Sequence, residues 1–559
     1  MFMKVSNREF YAGLPKDEEL RPIAEMTLEI YLQHFPFVAT DLGLHDWDEA
    51  LPPVSEASRQ VFEKTLSQAR TALNRINPKT LDREDWADYM TLKFNVESLW
   101  LDVTRDHPER KDPNLFNAVI SASLLSLARG QFGTADSRGQ ALLERLRQVP
   151  GFLMAGLRQL DNPPALYVDM AIDQFTRTLP FLRDDIPQAF QDVNSRLRQD
   201  IAEASEQAAQ AYENFVDDLK TKIKPKAHGD YRLGPKRYWE KFYWLEGNEA
   251  SLDELLCMAD KELERLQGKL QVLVAQYEPS TNPQQVIAHI RHDHWSRDTL
   301  LKHTSQLLDQ LRDFVERQQL VSIPQSVHPR VVETPAFMRL TTLASIVPPG
   351  PFEQSSRQAY YQVTLPDSSW SLEDQEAQLQ TLNKATMQMI SIHEVYPGHF
   401  VQFLQIPKTS STVRRIFGSG AFIEGWAHYT EELMMEQGYG DGNLALQISY
   451  LLEALERLGR FIVAIRLHRG DFTLDDAQKF FETECFMTPM GAKRETLRGT
   501  QDPFYLIYTW GKFQILHLRR KAQERWGSAF TLQRFHDALL SHGMPMFPVL
   551  EKLLFSESK

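Results

Sequence analysis

One short stretch of this 559-residue chain carries side chains that together can bind a metal ion. It reads His393-Glu394-Val395-Tyr396-Pro397-Gly398-His399 and contains two imidazoles and a carboxylate. Two histidines and a glutamate commonly hold a hydrolytic zinc ion that keeps its fourth position open for water. A carboxylate beside the first histidine, here Glu394, is where such enzymes keep the base that deprotonates this water. The stretch therefore predicts a metal-dependent hydrolase with His393 and His399 as ligands.

A third ligand is predicted in the segment Glu424-Gly425-Trp426-Ala427-His428. Apolar residues around it form one face of a helix, and Glu424 lies on the neighbouring face. A carboxylate on a face otherwise suited to burial needs a cation or a hydrogen-bond donor. We expect Glu424 to complete the metal site, and a buried salt bridge is the alternative.

A helix has to position His393, and that helix has to break before His399. A capping box begins the helix at Ser371, and apolar residues then follow one face as far as His393. Six residues turn an ideal helix by about 240°, which would point His399 away from His393. Pro397 lacks the amide that would bond to the carbonyl of His393, and Gly398 loosens the next turn. We therefore predict a break at Pro397-Gly398 that returns His399 to the metal.

Helical periodicity dominates the rest of the chain. Long amphipathic segments rich in Leu, Ala, Glu, Gln and Arg run from about 16 to 320, and prolines then interrupt residues 321–351. These patterns predict a mostly α-helical fold with two lobes. The N-terminal helical lobe is expected at 1–320 and the catalytic, metal-binding lobe at 321–559.

A small β element is predicted just ahead of the metal-binding helix. Residues 358–364 have strand composition and include Tyr360 and Tyr361. Such a strand would accept an extended peptide by edge pairing, which would bring the two tyrosines to the substrate. A short structural hairpin is the alternative.

Charge and cysteine content exclude several classes of partner. The net charge of -13 argues against a nucleic-acid partner and gives no attraction to an anionic membrane. No stretch approaches the roughly 20 apolar residues of a membrane span. Only Cys257 and Cys485 occur, which indicates a reducing compartment. A cytoplasmic protein is therefore expected.

The motifs resemble the family catalogued as domain of unknown function 885, whose members are similar to the gluzincin metallopeptidases. The resemblance rests on H-E-x-x-P-G-H at 393–399 and E-G-W-A-H-Y at 424–429, and it extends over most of the chain, from residues 35–45 to residues 505–512. It implies a zincin-like metallopeptidase fold with a deep central cleft. It also implies one Zn²⁺ per chain, held by His393, His399 and Glu424, and Glu394 as the general base.

Several further residues would have roles in such a site. His428 stands where gluzincins usually carry an aspartate, and it would orient a ligand or stabilise the oxyanion; a core histidine is the alternative. Tyr508, in preference to Tyr505, would donate to the oxyanion, and an aromatic packing face is the alternative. Arg498 and Lys512 would hold a substrate carboxylate and make the enzyme an exopeptidase. Structural ion pairs are their alternative.

The sequence thus predicts a zinc-dependent hydrolase that cleaves peptide bonds, most readily in short peptides. Two alternatives stay open. One is a metal-dependent hydrolase of a non-peptide amide or another small molecule, and the other is a helical binding protein with a structural zinc. A structural site normally closes with a fourth protein ligand, which the motifs do not supply.

Overall fold

The computed structural model describes residues 4–279, 282–324, 327–335, 342–354 and 358–555. These residues form a mostly α-helical protein with one small sheet, as the sequence predicts.

The first helices, in chain order, are α1 Arg8–Ala12, α2 Leu20–His34, α3 Pro36–Leu42, α4 Glu56–Leu73, α5 Arg83–Leu101, α6 Pro108–Lys111, α7 Asn114–Ala128, α8 Ala135–Gln159, α9 Ala165–Pro180, α10 Ile186–Ala189 and α11 Ser195–Asp218. The next elements are α12 Pro235–Glu246, α13 Leu252–Tyr277, α14 Pro283–Arg291, α15 Arg297–Arg317, β1 Pro329–Glu333, β2 Ala344–Val347 and β3 Ala359–Val363. The remaining helices are α16 Leu372–Thr381, α17 Lys384–Glu394, α18 His399–Gln405, α19 Thr412–Ile416, α20 Gly420–Glu436, α21 Leu444–Arg469, α22 Leu474–Glu484, α23 Pro489–Gln501, α24 Ile507–Trp526, α25 Leu532–Leu540 and α26 Phe547–Phe555.

Two compact units make up the chain. The first unit comprises Met1–Tyr231 together with the short segments Pro349–Arg357 and Ser410–Ile416, and its longest helices are α8 and α11. The second unit comprises the remaining residues, from Arg232 onward. The division therefore falls near Tyr231 and not at the predicted boundary of 320–321.

The helices α12 to α15 belong to the second unit because they share its hydrophobic core. Leu255 and Leu266 of α13 and Leu311 of α15 are fully buried in the same cluster as Ile392 and Trp426, which lie in the predicted metal-binding segments. Long helices with one apolar face must bury that face against a partner, and here the partners of α13 and α15 include α21 and α17.

The sheet of the second unit has the strand order β1-β3-β2. Strand β3 pairs in parallel with β1 and antiparallel with β2. Because β3 is central, both of its edges are already hydrogen-bonded, so it cannot accept a peptide. The predicted edge pairing on residues 358–364 is corrected on this ground. In the described chain β2 is an edge strand, and α17 packs against it.

Within the described residues, no helix combines the length and the continuous apolar character that crossing a bilayer requires.

Candidate metal centre

Helix α17 carries His393 one residue before its end. It does not continue from α16, as the apolar pattern suggested, because Asn383 interrupts the run and caps a new helix by accepting from the backbone amide of Thr386 at 3.0 Å. The predicted cap at Ser371 is present and begins α16. His393 is 7% exposed, so the inward orientation expected from the helical stripe is confirmed.

The predicted break at Pro397-Gly398 is confirmed, since α17 ends at Glu394 and α18 begins at His399. The amide of Gly398 donates to the carbonyl of Ile392 at 3.0 Å. A β-carbon at Gly398 would lie 1.8 Å from the carbonyl oxygen of His393, so only glycine fits this approach. The chain thereby reverses within a few residues and brings His399 back to His393.

Helix α20 holds this break in place and supplies Glu424. The indole Nε1 of Trp426 donates to the carbonyl oxygens of Pro397 at 3.0 Å and Gly398 at 3.2 Å. At the start of α20 the buried carboxylate of Glu246 accepts from the amide of Ala421 at 3.0 Å and from the hydroxyl of the N-cap residue Ser419. These bonds fix both ends of the segment from which Glu424 projects.

His393, His399 and Glu424 form a compact group of possible metal ligands. Their ligand atoms lie within 4.8 Å of one another. Oε2 of Glu424 is 3.6 Å from Nε2 of His393 and 3.4 Å from Nε2 of His399. The two imidazole rings are perpendicular, with centroids 4.8 Å apart. Among the described residues this is the group of histidine, cysteine and acidic side chains that meets the spacing of a metal site.

These distances fit a tetrahedral zinc ion better than direct hydrogen bonds. Ligands 2.0–2.1 Å from zinc lie about 3.3 Å apart at the corners of a tetrahedron. The separations of 3.4 and 3.6 Å are close to this value and longer than the 2.7–3.2 Å of ordinary N–H···O bonds. The donor set is also that of a zinc site with three protein ligands and one open position.

Electrostatics favour a cation at this point. Burial alone would raise the pKa of Glu424, but the two histidines hold the pKa well below its usual range. Burial likewise opposes protonation of His393, yet the neighbouring carboxylates of Glu424 and Glu431 raise its pKa to about 9. Glu424 therefore stays ionised, and the imidazoles around it are in a field that stabilises positive charge.

Glu431 orients His393 from behind, a role that was not predicted. Its fully buried carboxylate lies 2.7 Å from Nδ1 of His393 and 3.0 Å from Nδ1 of His428. Arg457, on α21, pairs with the same carboxylate at 3.1 Å. A carboxylate on Nδ1 fixes the tautomer that leaves Nε2 free to bind a metal. Although burial raises the pKa of Glu431, Arg457 and then His428 keep it well below the usual range.

His428 contacts Glu431 rather than a metal ligand. Its ring has no exposed surface, and burial is the main cause that lowers its pKa to about 4. A neutral imidazole in this position supports Glu431, which in turn holds His393. The predicted oxyanion role does not fit a ring that a substrate cannot reach.

The carboxylate of Glu394 is held beside the ligand group without belonging to it. Its Oε2 accepts from the backbone amide of Ile346 in β2 at 3.0 Å. The bond from the amide of Thr364 to the carbonyl of Leu343 sets the alternation of the β2–β3 ladder, which directs the amide of Ile346 away from β3. One carboxylate oxygen is thus fixed by the sheet, and the other is available to a water molecule.

Tyr508 lies close to Glu424 because α20 and α24 approach each other through glycines. A β-carbon at Gly425 would lie 2.4 Å from Cα of Gly511, and Tyr508 is one turn before Gly511. Burial, followed by the charge of Glu424, raises the pKa of Tyr508. Its hydroxyl is 3.5 Å from Nη2 of Arg498. The phenol remains protonated and able to donate.

Three of the predicted substrate-binding residues are buried in other contacts. Tyr361 is 0% exposed, with its hydroxyl 3.1 Å from that of Ser391. Tyr505 is 0% exposed, and its hydroxyl is directed to the backbone of α23. Lys512 is 1% exposed and pairs with Glu432 at 3.1 Å. These assignments are corrected because no substrate can reach the side chains, whereas Tyr360 and Arg498 are partly exposed.

The fold and the site together define a mostly helical protein with a candidate metal centre at a helix break. A model of the family described as bacterial protein of unknown function (DUF885) matches residues 36–554. The chain therefore belongs to this family, which confirms the prediction from the motifs.

Two solved structures are similar to nearly the whole chain. A candidate lipoprotein of unknown function from Shewanella oneidensis is 23% identical with a TM-score of 0.78, over 96% of this chain and 100% of its own. A candidate lipoprotein from Colwellia psychrerythraea is 17% identical with a TM-score of 0.80, over 96% of this chain and 98% of its own. No curated protein matches the chain. At these identities the likeness shows the fold alone.

Proposed function

We propose that this protein is a zinc-dependent hydrolase that cleaves peptide bonds in short peptides. The observation that carries the proposal is the pairing of the ligand group His393, His399 and Glu424 with the separate carboxylate of Glu394. A structural zinc normally has four protein ligands and needs no adjacent base. The resemblance to gluzincins, with a zincin-like fold and a deep central cleft, belongs to the same proposal.

The residues of the chain suit the hydrolysis of an amide. When bound, zinc would act as a Lewis acid on the substrate carbonyl and lower the pKa of water. Glu394 accepts a proton from the attacking water and returns it to the leaving nitrogen. The hydroxyl oxygen of that water joins the acyl carbon, the carbon–nitrogen bond breaks, and the amine departs with the proton. Tyr508 donates a hydrogen bond to the carbonyl oxygen as negative charge develops on it.

Strand β2 would align an extended peptide with these groups. It is an edge strand in the described sheet, and its amide at Ile346 contacts Glu394 directly. A peptide that pairs with this edge runs past the carboxylate. This mode replaces the pairing first expected for β3 and favours a peptide over a non-peptide amide, because only an extended backbone uses such an edge.

A metal analysis combined with a peptide digest tests the function. The purified protein is expected to carry about one zinc per chain and to cut members of a random peptide library. Removal of zinc with a chelator should stop cleavage, and addition of zinc should restore it. A zinc-loaded protein that cuts no peptide would favour the non-peptide hydrolase or the binding protein.

The cytoplasmic location is also a proposal. It rests on the two cysteines, which are both free. The two similar structures are named as candidate lipoproteins, and that name does not favour a cytoplasmic location. Fractionation of the native cells, with detection of the protein in the soluble or membrane fraction, distinguishes the two locations.

Replacement of Glu431 tests how the ligand His393 is oriented. Glu431→Gln keeps the size of the side chain but removes the charge that faces Nδ1 of His393. We expect zinc affinity to fall about 10- to 100-fold, the usual effect of losing a partner of a metal ligand. Competition with a chromogenic chelator measures the change. Glu524→Gln, an exposed replacement on α24, is the control. Unchanged affinity in Glu431→Gln would refute the role.

A further inference from the structure

Arg498 has hydrogen-bonding groups that the protein leaves unused. In the described part of the chain only its Nη2 has partners, Oδ2 of Asp502 at 3.3 Å and the hydroxyl of Tyr508 at 3.5 Å. Both distances are longer than the 2.7–2.9 Å of a strong charge-assisted bond. Nε and Nη1 have no hydrogen-bond partner among the described residues, and the side chain is 36% exposed.

The neighbouring arginines differ because each pairs with two carboxylates of the protein. Arg460 bonds to Glu456 at 2.6 Å and to Glu495 at 2.7 Å. Arg457 pairs with Glu431 and with Glu453 in the same way. These two arginines are almost completely buried, and their charges are balanced within the protein. Among these three arginines, Arg498 is therefore the one whose positive charge can bind a ligand beside Tyr508.

The pair Arg498–Asp502 is easily exchanged for another carboxylate. Asp502 is 45% exposed and offers a single long contact, and such surface pairs stabilise a protein by little. A ligand carboxylate can bind through two parallel N–H···O bonds, which Asp502 does not form.

We propose that Arg498 binds the C-terminal carboxylate of the substrate, so that the enzyme cuts short peptides near a free C-terminus. The inference rests on the proposed function and assigns it a substrate class. Tyr508 contacts Arg498 and, in the proposed mechanism, the carbonyl of the scissile bond. The scissile carbonyl and the carboxylate are therefore about 11 Å apart. This distance is the sum of one hydrogen bond at each end, the 3.5 Å contact between Tyr508 and Arg498, and the width of the guanidinium. Extended residues span up to 3.6 Å each, so the cut lies within about three residues of the C-terminus.

A pair of peptide libraries tests the proposal. N-acetylated pentapeptides with random positions are prepared with either a free C-terminal carboxylate or a C-terminal amide, and products are identified by mass spectrometry. The zinc-loaded wild type should cut the acid at least about 10-fold faster in kcat/KM than the amide, as expected for loss of a hydrogen bond to a charged group. The cuts should lie within three residues of the C-terminus.

Replacement of Arg498 separates carboxylate binding from a structural role. Arg498→Gln should slow cleavage of the acid about 10- to 100-fold more than cleavage of the amide. Arg494→Gln, at an exposed position one turn earlier on α23, is the matched control and should change neither rate. Calorimetry measures peptide binding directly. The Glu394→Gln variant should bind the acid more tightly than the amide.

The outcomes distinguish this inference from the function on which it rests. Equal cleavage of acid and amide by the wild type overturns the inference and leaves the peptidase proposal intact. If Arg498→Gln slows cleavage of the acid and of the amide equally, the inference is also overturned. In that case Arg498 acts by positioning Tyr508. If the zinc-loaded wild type cuts neither library, the proposed function is wrong and the inference falls with it.

Discussion

Glu394→Gln is expected to reduce peptide hydrolysis by roughly 10²–10⁴-fold while zinc content stays at the wild-type level. Glutamine has nearly the same size as glutamate, and its oxygen can still accept the amide of Ile346. What it lacks is the basic oxygen that takes a proton from water. Because Glu394 is not one of the three ligand residues, the metal should remain bound.

Turnover and zinc content must be measured on the same preparation. Glu373→Gln, an exposed replacement on α16, is the control and should retain full activity. Thermal unfolding of Glu394→Gln should match the wild type, since the bond to β2 is kept. Hydrolysis at the wild-type rate would remove Glu394 from the mechanism. Loss of zinc from this variant would instead make Glu394 part of the metal site.

Local hydrogen-bonding rules were enough to predict the central feature of the site. Proline has no amide to continue a helix, and the sequence therefore predicted the interruption at Pro397-Gly398 that returns His399 to His393. The position of Glu424 followed from the apolar face around it, which had to be buried. Such inferences succeed because each depends on residues that are close in the chain.

Contacts between distant residues were not predictable in the same way. Lys512 pairs with Glu262, which is 250 residues earlier, and no local pattern indicates that pair. The central place of β3 depends on β1, whose sequence gives no register. The boundary between the two units was also misplaced, because α12 to α15 pack with helices far along the chain and not with the first 231 residues. Each of these results from tertiary packing that overrides local preference.

Glu431 is intermediate between these two cases, because one of its partners is close in the chain and another is distant. It lies three residues after His428 on one helix face, and a buried acid without a nearby cation in its own helix was a visible signal. The cation that balances it, Arg457, comes from α21 and has no local signature. No role was predicted for Glu431 from the sequence, and the structure identifies both its partner, Arg457, and the ligand that it orients, His393.

The strongest effect on metal binding is expected from removal of a ligand. His399→Ala and Glu424→Ala each take away one of three donors, and neither loss can be repaired by a neighbour in the described ligand group. We expect both variants to contain little or no zinc after purification, and to lose hydrolysis with it. Elemental analysis of the purified chains gives the zinc content.

Thermal unfolding with and without zinc distinguishes a lost ligand from a damaged fold. Zinc at 1,000 times its Kd stabilises a protein by about 4 kcal/mol when it binds only the folded state. The wild type should therefore unfold at a higher temperature with zinc than with chelator, and the two variants should show no such difference. In chelator, Glu424→Ala should be less stable than the wild type, because it removes the carboxylate that faces the imidazoles of His393 and His399.

The control for these variants is His517→Ala, which removes an exposed histidine from α24. It should keep both the zinc content and the zinc-dependent rise in unfolding temperature. If the His399→Ala variant and the Glu424→Ala variant both retain full zinc content, the ligand assignment is refuted. Loss of stabilisation in Glu424→Ala alone would indicate a two-ligand site, which the separations of 3.4 and 3.6 Å from Glu424 to both imidazoles argue against. The same two distances that favour a tetrahedral ion thus predict that each ligand is required.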